Sequence, residues 1–301
     1  MTGGAGFIGS HLADALLARG DDVVVLDDLS TGSREHLPAG AELVEADVAE
    51  EFSVRGFDAV LHVAGQASIF KSFDSPERDL RTNVLGTVNA IEACVRDGVE
   101  RLVFASSMTA YGEPAQVPTP ESAPCVPVSY YGVTKYAAER YVQVSAARGL
   151  AVTSLRMFNV YGERQSLTNP YQGVLAIFIG NVLRGEAITI QSDGEQTRDF
   201  VYVGDVVDAW LRVLEGPSAH GQVFNVGSGR ETSINELARE VVAALGHDPD
   251  GWEIRRAPAQ TGDVRRSAAD VSALRDTIGW EPATPLADGL SRTAGWAGAL
   301  D

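Results

Sequence analysis

The chain opens on glycines three residues apart, and this run constrains its fold more than any other feature of the sequence. The segment is Gly3-Gly4-Ala5-Gly6-Phe7-Ile8-Gly9. A helical pattern follows directly, with Ile8, Leu12 and Leu16 on one face and Gly20 at its end. Glycines at this spacing let the backbone turn tightly and approach a pyrophosphate, where a Cβ atom would clash. The helix N-terminus adds free N–H groups and partial positive charge. The segment therefore predicts a dinucleotide site, with a simple tight turn as the alternative.

Short β-branched runs alternate with helical patterns through the first half of the chain. The predicted strands lie at residues 23–26, 59–63, 102–105 and 152–155, and further helical patterns cover residues 80–96 and 131–148. This alternation predicts a Rossmann-type α/β fold, a doubly wound parallel sheet with helices on both faces. The less regular second half predicts a smaller C-terminal α/β substrate lobe, in which Ser233 and Glu236 form a capping box. We expect a dinucleotide-binding domain over residues 1–160 and a substrate lobe mainly over 161–301, with an interleaved boundary.

The first strand of such a fold is expected to be truncated here. About five residues normally precede the first glycine, yet only Met1 and Thr2 do so. That strand is central, so its loss leaves two neighbours with unpaired ladder groups. Two explanations stay open: the start is internal to a longer coding sequence, or another segment fills the gap.

Two adjacent carboxylates predict that the dinucleotide is NAD. Asp27 ends the predicted strand at 23–26, where a carboxylate accepts both ribose hydroxyls. Asp28 adds to the repulsion of a 2′-phosphate, which disfavours NADP. Asp47 and Val48 end the following strand, where the adenine edge would lie.

A tyrosine and a lysine four residues apart form the core of a candidate catalytic site. Tyr131 and Lys135 share one face of a predicted helix. Lowering a tyrosine pKa from about 10 to about 7 takes roughly 4 kcal/mol. We expect the lysine cation and an oxidised nicotinamide to supply this in a dry cleft. Ser107 follows a strand predicted to end at Ala105, where such folds bind ligands, and a turn cap is its alternative role.

Composition disfavours several classes of function. Lys plus Arg is 24 and Asp plus Glu is 41, giving a net charge of −17 that repels nucleic acid and anionic membranes. No apolar run approaches the roughly 18 residues of a membrane span. The start has no leader pattern, and two cysteines predict reduced thiols in a cytoplasmic protein. The five histidines never fall at ligand spacing, so no metal is expected.

A set of short motifs occurs in order between residues 3 and 200, within a similarity that extends from residue 2 to about residue 296. They are Gly3-x-x-Gly6-x-x-Gly9, Asp27, His62-Val63-Ala64-Gly65-Gln66, Asn83-Val84-x-Gly86-Thr87, Ser106-Ser107, Tyr111-Gly112, Tyr131-x-x-x-Lys135, Arg156-Met157-Phe158-Asn159-Val160-Tyr161-Gly162 and Gly194-Glu195-Gln196-Thr197-Arg198-Asp199-Phe200. As a set they resemble the extended short-chain dehydrogenase/reductases, specifically the NAD-dependent sugar-nucleotide 4-epimerases.

The resemblance implies a mechanism and a substrate class. Tyr131 would remove the proton from the C4 hydroxyl of a UDP-hexose, UDP-N-acetylhexosamine or UDP-hexuronate. NAD would store the hydride while the 4-keto sugar rotates and is reduced on its other face. Lys135 would tune Tyr131 and bind the nicotinamide ribose, and Ser107 would hydrogen-bond the C4 oxygen. A homodimer would form through helices starting near Leu80 and Tyr131.

The resemblance also implies the remaining contacts. Expected cofactor contacts are Gly3, Gly6, Phe7, Ile8, Gly9, Asp27, Asp28, Ser30, Thr31, Gly32, Asp47, Val48, Val63, Ala64, Gly65, Gln66, Asn83, Tyr131, Lys135 and Phe158. Expected substrate contacts are Ser107, Met108, Tyr131, Asn159, Gly173, Val174, Thr189, Gln191, Arg198, Asp263 and Ser267. Asn159 would contact the diphosphate. Arg198 would fork onto a phosphate, with a surface ion pair to Asp199 or Asp205 as the alternative.

Departures from related families refine the prediction. Sugar-nucleotide 4,6-dehydratases carry an Asp-Glu pair where this chain has Met108 and Thr109, and decarboxylases keep the Glu. Water elimination needs an acid and a base, so dehydration is disfavoured. Gln260 replaces an arginine of many epimerases, leaving Arg265 or Arg266 as the second phosphate clamp. Ser267 stands where some epimerases have a bulky tyrosine, which leaves room for a large C2 substituent.

Other functions stay open at this point. A dTDP-sugar epimerase, or a dehydratase or decarboxylase of the same fold, would share most of these motifs. A reductase would consume NADPH, which Asp27 and Asp28 disfavour. A non-catalytic NAD-binding regulator would have no reason to keep Ser107, Tyr131 and Lys135 together. The sequence leaves open which sugar is used and whether the nucleotide carries uridine or thymidine.

Overall fold

The computed structural model describes residues 1–169, 173–259 and 264–299. The strands are β1 Val24–Asp27, β2 Glu42–Glu45, β3 Ala59–His62, β4 Arg101–Ser107, β5 Ala151–Met157, β6 Asn159–Tyr161, β7 Ile188–Gln191, β8 Thr197–Arg198, β9 Phe200–Tyr202, β10 Gln222–Val226, β11 Thr232–Ser233 and β12 Ile254–Ala257. The α-helices are α1 Phe7–Arg19, α2 Ile69–Asp74, α3 Pro76–Leu80, α4 Gly86–Asp97, α5 Tyr130–Ser145, α6 Val174–Leu183, α7 Val203–Glu215, α8 Ile234–Ala244, α9 Ser272–Ile278 and α10 Leu286–Gly298.

The main sheet is parallel, as the alternating pattern predicted. Strands β3, β4, β5 and β10 pair in that order, and β1 pairs with β2. Thr2 joins the two sets, since it forms parallel bridges to both Leu26 of β1 and His62 of β3. Its N–H donates to the Leu61 carbonyl at 3.0 Å, and the Leu26 N–H donates to the Met1 carbonyl at 2.8 Å. Residues 1 and 2, rather than a distant segment, therefore occupy the central position expected for the shortened first strand.

A buried histidine reinforces this junction. Thr2 Oγ1 lies 2.7 Å from His62 Nδ1, and His62 Nε2 lies 3.1 Å from Thr87 Oγ1 on α4. Thr87 Oγ1 donates its own proton to the Asn83 carbonyl at 2.6 Å, so His62 Nε2 must carry a proton to complete the bond. Nδ1 then accepts from Thr2. His62 is thus held as the neutral imidazole.

Two predicted elements have different bounds in the structure. The helix predicted over residues 80–96 is interrupted by a π-helical turn, Arg81–Leu85, between α3 and α4. The wider turn allows the buried Asn83 side chain to reach neighbours outside the helix. Strand β4 does not end at Ala105, because Ser106 and Ser107 still pair with β5. Helix α1 and its left-handed cap at Gly20 (φ 95°) agree with the prediction.

Two large apolar clusters form the core. The first packs α1 and α7 on the main sheet and includes Trp210, Phe224 and Trp280. The second packs α6, α8 and α10 together and includes Phe178 and Leu237. Two elements after residue 160, α7 and β10, complete the first cluster. The predicted dinucleotide-binding domain and substrate lobe therefore interleave along the chain. The division near residue 160 stays a prediction.

The second half contains the predicted helix cap. The Ser233 hydroxyl accepts the Glu236 N–H at 3.1 Å at the start of α8, as its capping motif indicates. Among the described residues, no helix combines the length and apolar character needed to cross a membrane.

Candidate active site

A cavity of about 1420 Å³ runs along the carboxyl ends of the main-sheet strands. Most of the predicted cofactor contacts line it, namely Gly3, Gly6, Phe7, Ile8, Gly9, Asp27, Asp28, Ser30, Thr31, Asp47, Val48, Val63, Ala64, Gly65, Gln66, Tyr131, Lys135 and Phe158. Gly32 and Asn83 lie behind this wall: Gly32 packs on Ala5, and Asn83 holds the backbone of Gln66. The topology therefore brings the ends of β1, β4 and β5, the segment after β3 and the start of α5 to one edge.

The glycine run is shaped by close backbone contacts. Gly3 has a φ of +71°, and a Cβ atom there would lie 2.5 Å from the Ala64 nitrogen. A Cβ atom on Gly9 would lie 2.0 Å from the Gly3 carbonyl oxygen. Neither position accepts a side chain, so the loop stays tight against the start of α1. This open cradle of backbone at a helix N-terminus fits the pyrophosphate of NAD.

Asp27 is oriented for a diol. Its Oδ2 accepts the Ala5 N–H at 2.9 Å and its Oδ1 accepts the Leu29 N–H at 2.9 Å. Each carboxylate oxygen keeps a second lone pair, which suits the two ribose hydroxyls. Burial raises the pKa of Asp27, and the two backbone hydrogen bonds oppose that rise. Asp28 is exposed and accepts the Ser30 N–H at 2.9 Å.

Tyr131 and Ser107 meet where α5 begins against the end of β4. The Ser129 hydroxyl caps α5 by accepting the Gly132 N–H at 3.1 Å. A Cβ atom on Gly132 would lie 2.7 Å from the Thr109 carbonyl oxygen, so glycine lets the first turn of α5 pack against the turn after Ser107. Burial raises the pKa of Tyr131 to about 12, and a hydrogen bond from Ser107 opposes the rise.

Lys135 is a buried cation one turn further along α5. Its Nζ lies 4.5 Å from the centre of the Phe104 ring. The Phe104 ring also stacks on the His62 ring. Burial lowers the pKa of Lys135 to about 8, while the charges of Asp79 and Glu139 raise it. The group is therefore an ammonium held in a site where its charge is weakly screened.

A buried carboxylate that the sequence did not single out lies behind this pair. Asp79 is 0% exposed and accepts from Thr134 Oγ1 at 2.5 Å, Gln66 Nε2 at 2.7 Å and Asn83 Nδ2 at 3.2 Å. Burial raises its pKa, and these bonds and the Lys135 charge oppose the rise. Asp79 thus links α3, the π-helical turn, the loop after β3 and α5.

The predicted substrate contacts fall into two groups. Ser107, Met108, Tyr131, Asn159 and Gly173 line the cavity. Asn159 Oδ1 is buried there without a hydrogen-bond partner in the described residues, which suits a polar ligand. Ser267 adjoins the cavity wall, with its hydroxyl 3.2 Å from Met108 Sδ.

The other predicted contacts lie beyond the described cavity wall. Val174 begins α6, Thr189 and Gln191 lie on β7, and Arg198 lies on β8 with its Nη1 2.6 Å from the Thr197 carbonyl. Their contacts with substrate stay predictions. Asp263, together with Gln260, lies outside the described residues.

The two carboxylates considered as ion-pair partners of Arg198 are engaged elsewhere. Asp199 accepts backbone N–H groups from Ser228, Gly229 and Ala269. Asp205 accepts the N–H and hydroxyl of Thr284. Within the described ranges, no cluster of three or more His, Cys, Asp or Glu side chains is arranged to hold a metal ion.

Comparisons with known proteins agree with this geometry. Residues 1–227 match the model of the NAD dependent epimerase/dehydratase family. The chain is 41% identical to a UDP-glucose 4-epimerase of Mycolicibacterium smegmatis, covering 97% of this chain and 96% of that protein. It is 36% identical to UDP-glucuronic acid decarboxylase 3 of Arabidopsis thaliana, covering 96% of this chain and 86% of that protein.

A solved structure has the same fold over nearly its whole length. The UDP-glucose 4-epimerase of Thermotoga maritima, solved with UDP-glucose, superposes with a TM-score of 0.95 at 40% identity. The match covers 100% of this chain and 98% of that chain. The Rossmann-type fold and the NAD cofactor predicted from the motifs are thereby confirmed. The chain belongs to the NAD dependent epimerase/dehydratase family.

Proposed function

We propose that the protein inverts C4 of a UDP-sugar, with Tyr131 as the base. The observation that carries this proposal is the meeting of Tyr131, Lys135 and Ser107 at the carboxyl end of β4, in one cavity with Asp27. A proton-abstracting group thus adjoins a dinucleotide site, which is the arrangement that a reversible oxidation of an alcohol needs.

Each residue has a distinct task in this reaction. Tyr131 accepts the C4 hydroxyl proton and returns it when the sugar is reduced on its other face. Ser107 donates a hydrogen bond to the C4 oxygen, and Lys135 stabilises the phenolate through its positive charge. Bound NAD supplies the reversible hydride acceptor. Burial raises the pKa of Tyr131, and the positive charge of an oxidised nicotinamide would help to lower it again.

The substrate lobe supports a hexose or an N-acetylhexosamine attached to UDP. The solved relative from Thermotoga maritima holds UDP-glucose, which makes UDP-glucose the first substrate to test. Ser267 is a small side chain beside Met108, and we propose that the wall at this point accommodates an N-acetyl group at C2. Asn159 lines the cavity and is proposed to contact the diphosphate of the substrate.

A decarboxylase is the second candidate, because a UDP-glucuronic acid decarboxylase is among the similar proteins. The side chains that follow Ser107 weigh against it. Decarboxylases of the family keep a Glu where this chain has Thr109, and Met108 beside it is also uncharged. Neither side chain transfers a proton at neutral pH as a carboxylate does, so epimerisation remains the favoured reaction.

We also propose that two copies associate through α5 and the segment before α4. Tyr130, Val133, Tyr141 and Val144 form an exposed apolar stripe on α5, each 49–65% exposed. Leu80, 56% exposed, adds to it from α3. Replacing both Val133 and Tyr141 by Glu should convert the dimer to a monomer in light scattering after size exclusion, whereas an Asp288→Asn control should not.

The decisive experiment identifies both cofactor and product. Small molecules released from the purified, denatured protein are measured by mass spectrometry, and the native protein is incubated with a panel of UDP- and dTDP-sugars. NAD near one per chain with interconversion of C4 epimers and no net NADH supports the proposal. A decarboxylated or keto-deoxy product would reassign the protein to a sister activity.

A further inference from the structure

The hydroxyl of Ser107 is oriented by its second neighbour along the chain. Thr109 N–H donates to Ser107 Oγ at 3.2 Å, and Thr109 Oγ1 donates to the same atom at 2.9 Å. A serine hydroxyl has two lone pairs and one proton. Both lone pairs are therefore occupied by Thr109, and the proton remains for a bond in another direction.

That remaining direction leads to the reacting atoms. Ser107 lies beside Tyr131, and both line the cavity. With its lone pairs occupied, Ser107 has no site left to accept the phenol proton, so it acts toward Tyr131 and toward a sugar oxygen only as a donor. A donor stabilises the phenolate and any developing alkoxide, whereas an acceptor would stabilise the neutral phenol.

We propose that Thr109 is a positioning residue for epimerisation, which directs the Ser107 proton to Tyr131 and the C4 oxygen. The inference rests on the proposed function and deepens it. Thr109 acts through its hydroxyl group. Its position lacks the carboxylate that transfers a proton in the related dehydratases and decarboxylases. Thr109 is held for this role by the turn Met108–Ala110, which Ser107 caps.

The other charged groups around the phenol stay constant in the test. Asp79 on α3 raises the pKa of Tyr131, Lys135 carries the cation of α5, and His62 on β3 is neutral. Glu139 acts on Lys135 from one turn further along α5. None of these contacts Thr109 directly in the described hydrogen bonds, so a change at residue 109 reports on the Ser107 hydroxyl.

The test compares the NAD-loaded wild type with Thr109→Val, which keeps shape and backbone N–H but lacks the hydroxyl. We expect kcat for UDP-glucose at pH 7 to fall about tenfold with KM nearly unchanged. The midpoint of the kcat–pH curve should rise by about one unit, because Ser107 is then free to accept the phenol proton. Thr109→Ser should restore both values to within about twofold.

Two further variants separate positioning from simple structural support. Thr119→Val removes a threonine hydroxyl that donates to the Gln116 carbonyl away from the site, and it should leave the pH midpoint unchanged. In a Ser107→Ala background, Thr109→Val should have no additional effect, because Thr109 acts through Ser107. Additive losses in the double variant, or a wild-type pH midpoint in Thr109→Val, would overturn the proposal.

A spectroscopic readout keeps the test independent of the substrate. Ultraviolet difference titration of the NAD-loaded protein, with Tyr131→Phe subtracted, follows the ionisation of Tyr131 alone. A higher midpoint of Tyr131 ionisation in Thr109→Val supports the positioning role even if no sugar in the panel is turned over. Absence of turnover would reject only the proposed activity. Equal midpoints in wild type and Thr109→Val would overturn the inference while leaving epimerase activity intact.

Discussion

Thr134 Oγ1 lies 2.5 Å from Asp79 Oδ2 and joins the helix that carries the catalytic pair to a short helix far from it in sequence. Thr134 directly precedes Lys135, so the bond fixes the turn of α5 that presents the ammonium. Three neutral donors converge on the Asp79 carboxylate, which makes its position well defined. The cavity wall on this side is therefore held from behind by one buried negative charge.

Replacing Asp79 by Asn should destabilise the protein and weaken NAD retention. An amide turns one acceptor into a donor that faces other donors, which costs about 1–3 kcal/mol. We expect Tm to fall by about 2–6 °C and the NAD content per chain to decrease. Asp288→Asn, on the exposed face of α10, is the matched control and should change neither quantity. Unchanged thermal stability in Asp79→Asn would show that the network is dispensable.

Replacing Tyr131 by Phe should abolish most turnover without releasing the cofactor. Removing a general base typically lowers the rate by about 10²–10⁴-fold. The glycine run and Asp27 are untouched, so NAD measured in the denatured supernatant should remain near the wild-type level. Turnover comparable to wild type would reject Tyr131 as the base.

Asp27→Asn should reduce the amount of NAD that copurifies with the protein. The amide nitrogen places a donor opposite either the Ala5 N–H or the Leu29 N–H, and one ribose acceptor is lost. Asp28→Asn is the comparison, since the Asp28 side chain is exposed and bonds to Ser30. Equal NAD content in the two variants, measured by absorbance after denaturation, would contradict the diol-binding role.

His62 should make the protein less stable in mild acid. Burial and the Lys135 charge lower its pKa to about 3 in the folded state, against about 6.5 in an unfolded chain. Between these values only the unfolded chain gains the proton, so unfolding becomes easier as pH falls below 6.5. The expected slope from this group is about 1.4 kcal/mol per pH unit. Denaturant unfolding of wild type and His62→Asn at pH 7.5 and 5 measures the difference, and parallel pH dependences would exclude the effect.

Ser267→Tyr should discriminate between substrates. A tyrosine beside Met108 fills the space expected for a C2 substituent, so the loss of kcat/KM should be larger for UDP-N-acetylglucosamine than for UDP-glucose. Ser267→Ala, which removes only the hydroxyl, should affect both substrates alike. An equal loss on both substrates in Ser267→Tyr would remove the assignment of this position to the C2 pocket.

Sequence patterns predicted the parts of the site that depend on short spacing. The glycines at the start of α1 and the pair Tyr131 and Lys135 follow from local geometry, and the structure places them in one cavity. Asp79 was missed because it lies between Arg78 and Leu80 in a run that is typical of a solvated helix face. Its burial arises from partners distant in sequence, which no local pattern indicates.

Other differences also come from tertiary contacts. The predicted end of β4 at Ala105 was too early, because pairing with β5 continues through Ser107 although serine disfavours strands. The link from Ser107 to Thr109 depends on the turn after the strand, whose conformation the sequence alone did not define. The site is therefore predictable in its components and less so in the contacts that orient them.

The π-helical turn Arg81–Leu85 makes this region sensitive to the deletion of a residue as well as to substitution. A π-helical turn holds one residue more than an α-helical turn, so an in-frame deletion of one codon there would leave a regular α-helix without the wide turn. The Asn83 side chain would then lose the wide turn from which it reaches Asp79 and Thr134, and no single replacement elsewhere would restore that turn. The hydrogen bonds of Asn83 therefore depend on the number of residues in this segment as well as on their identities.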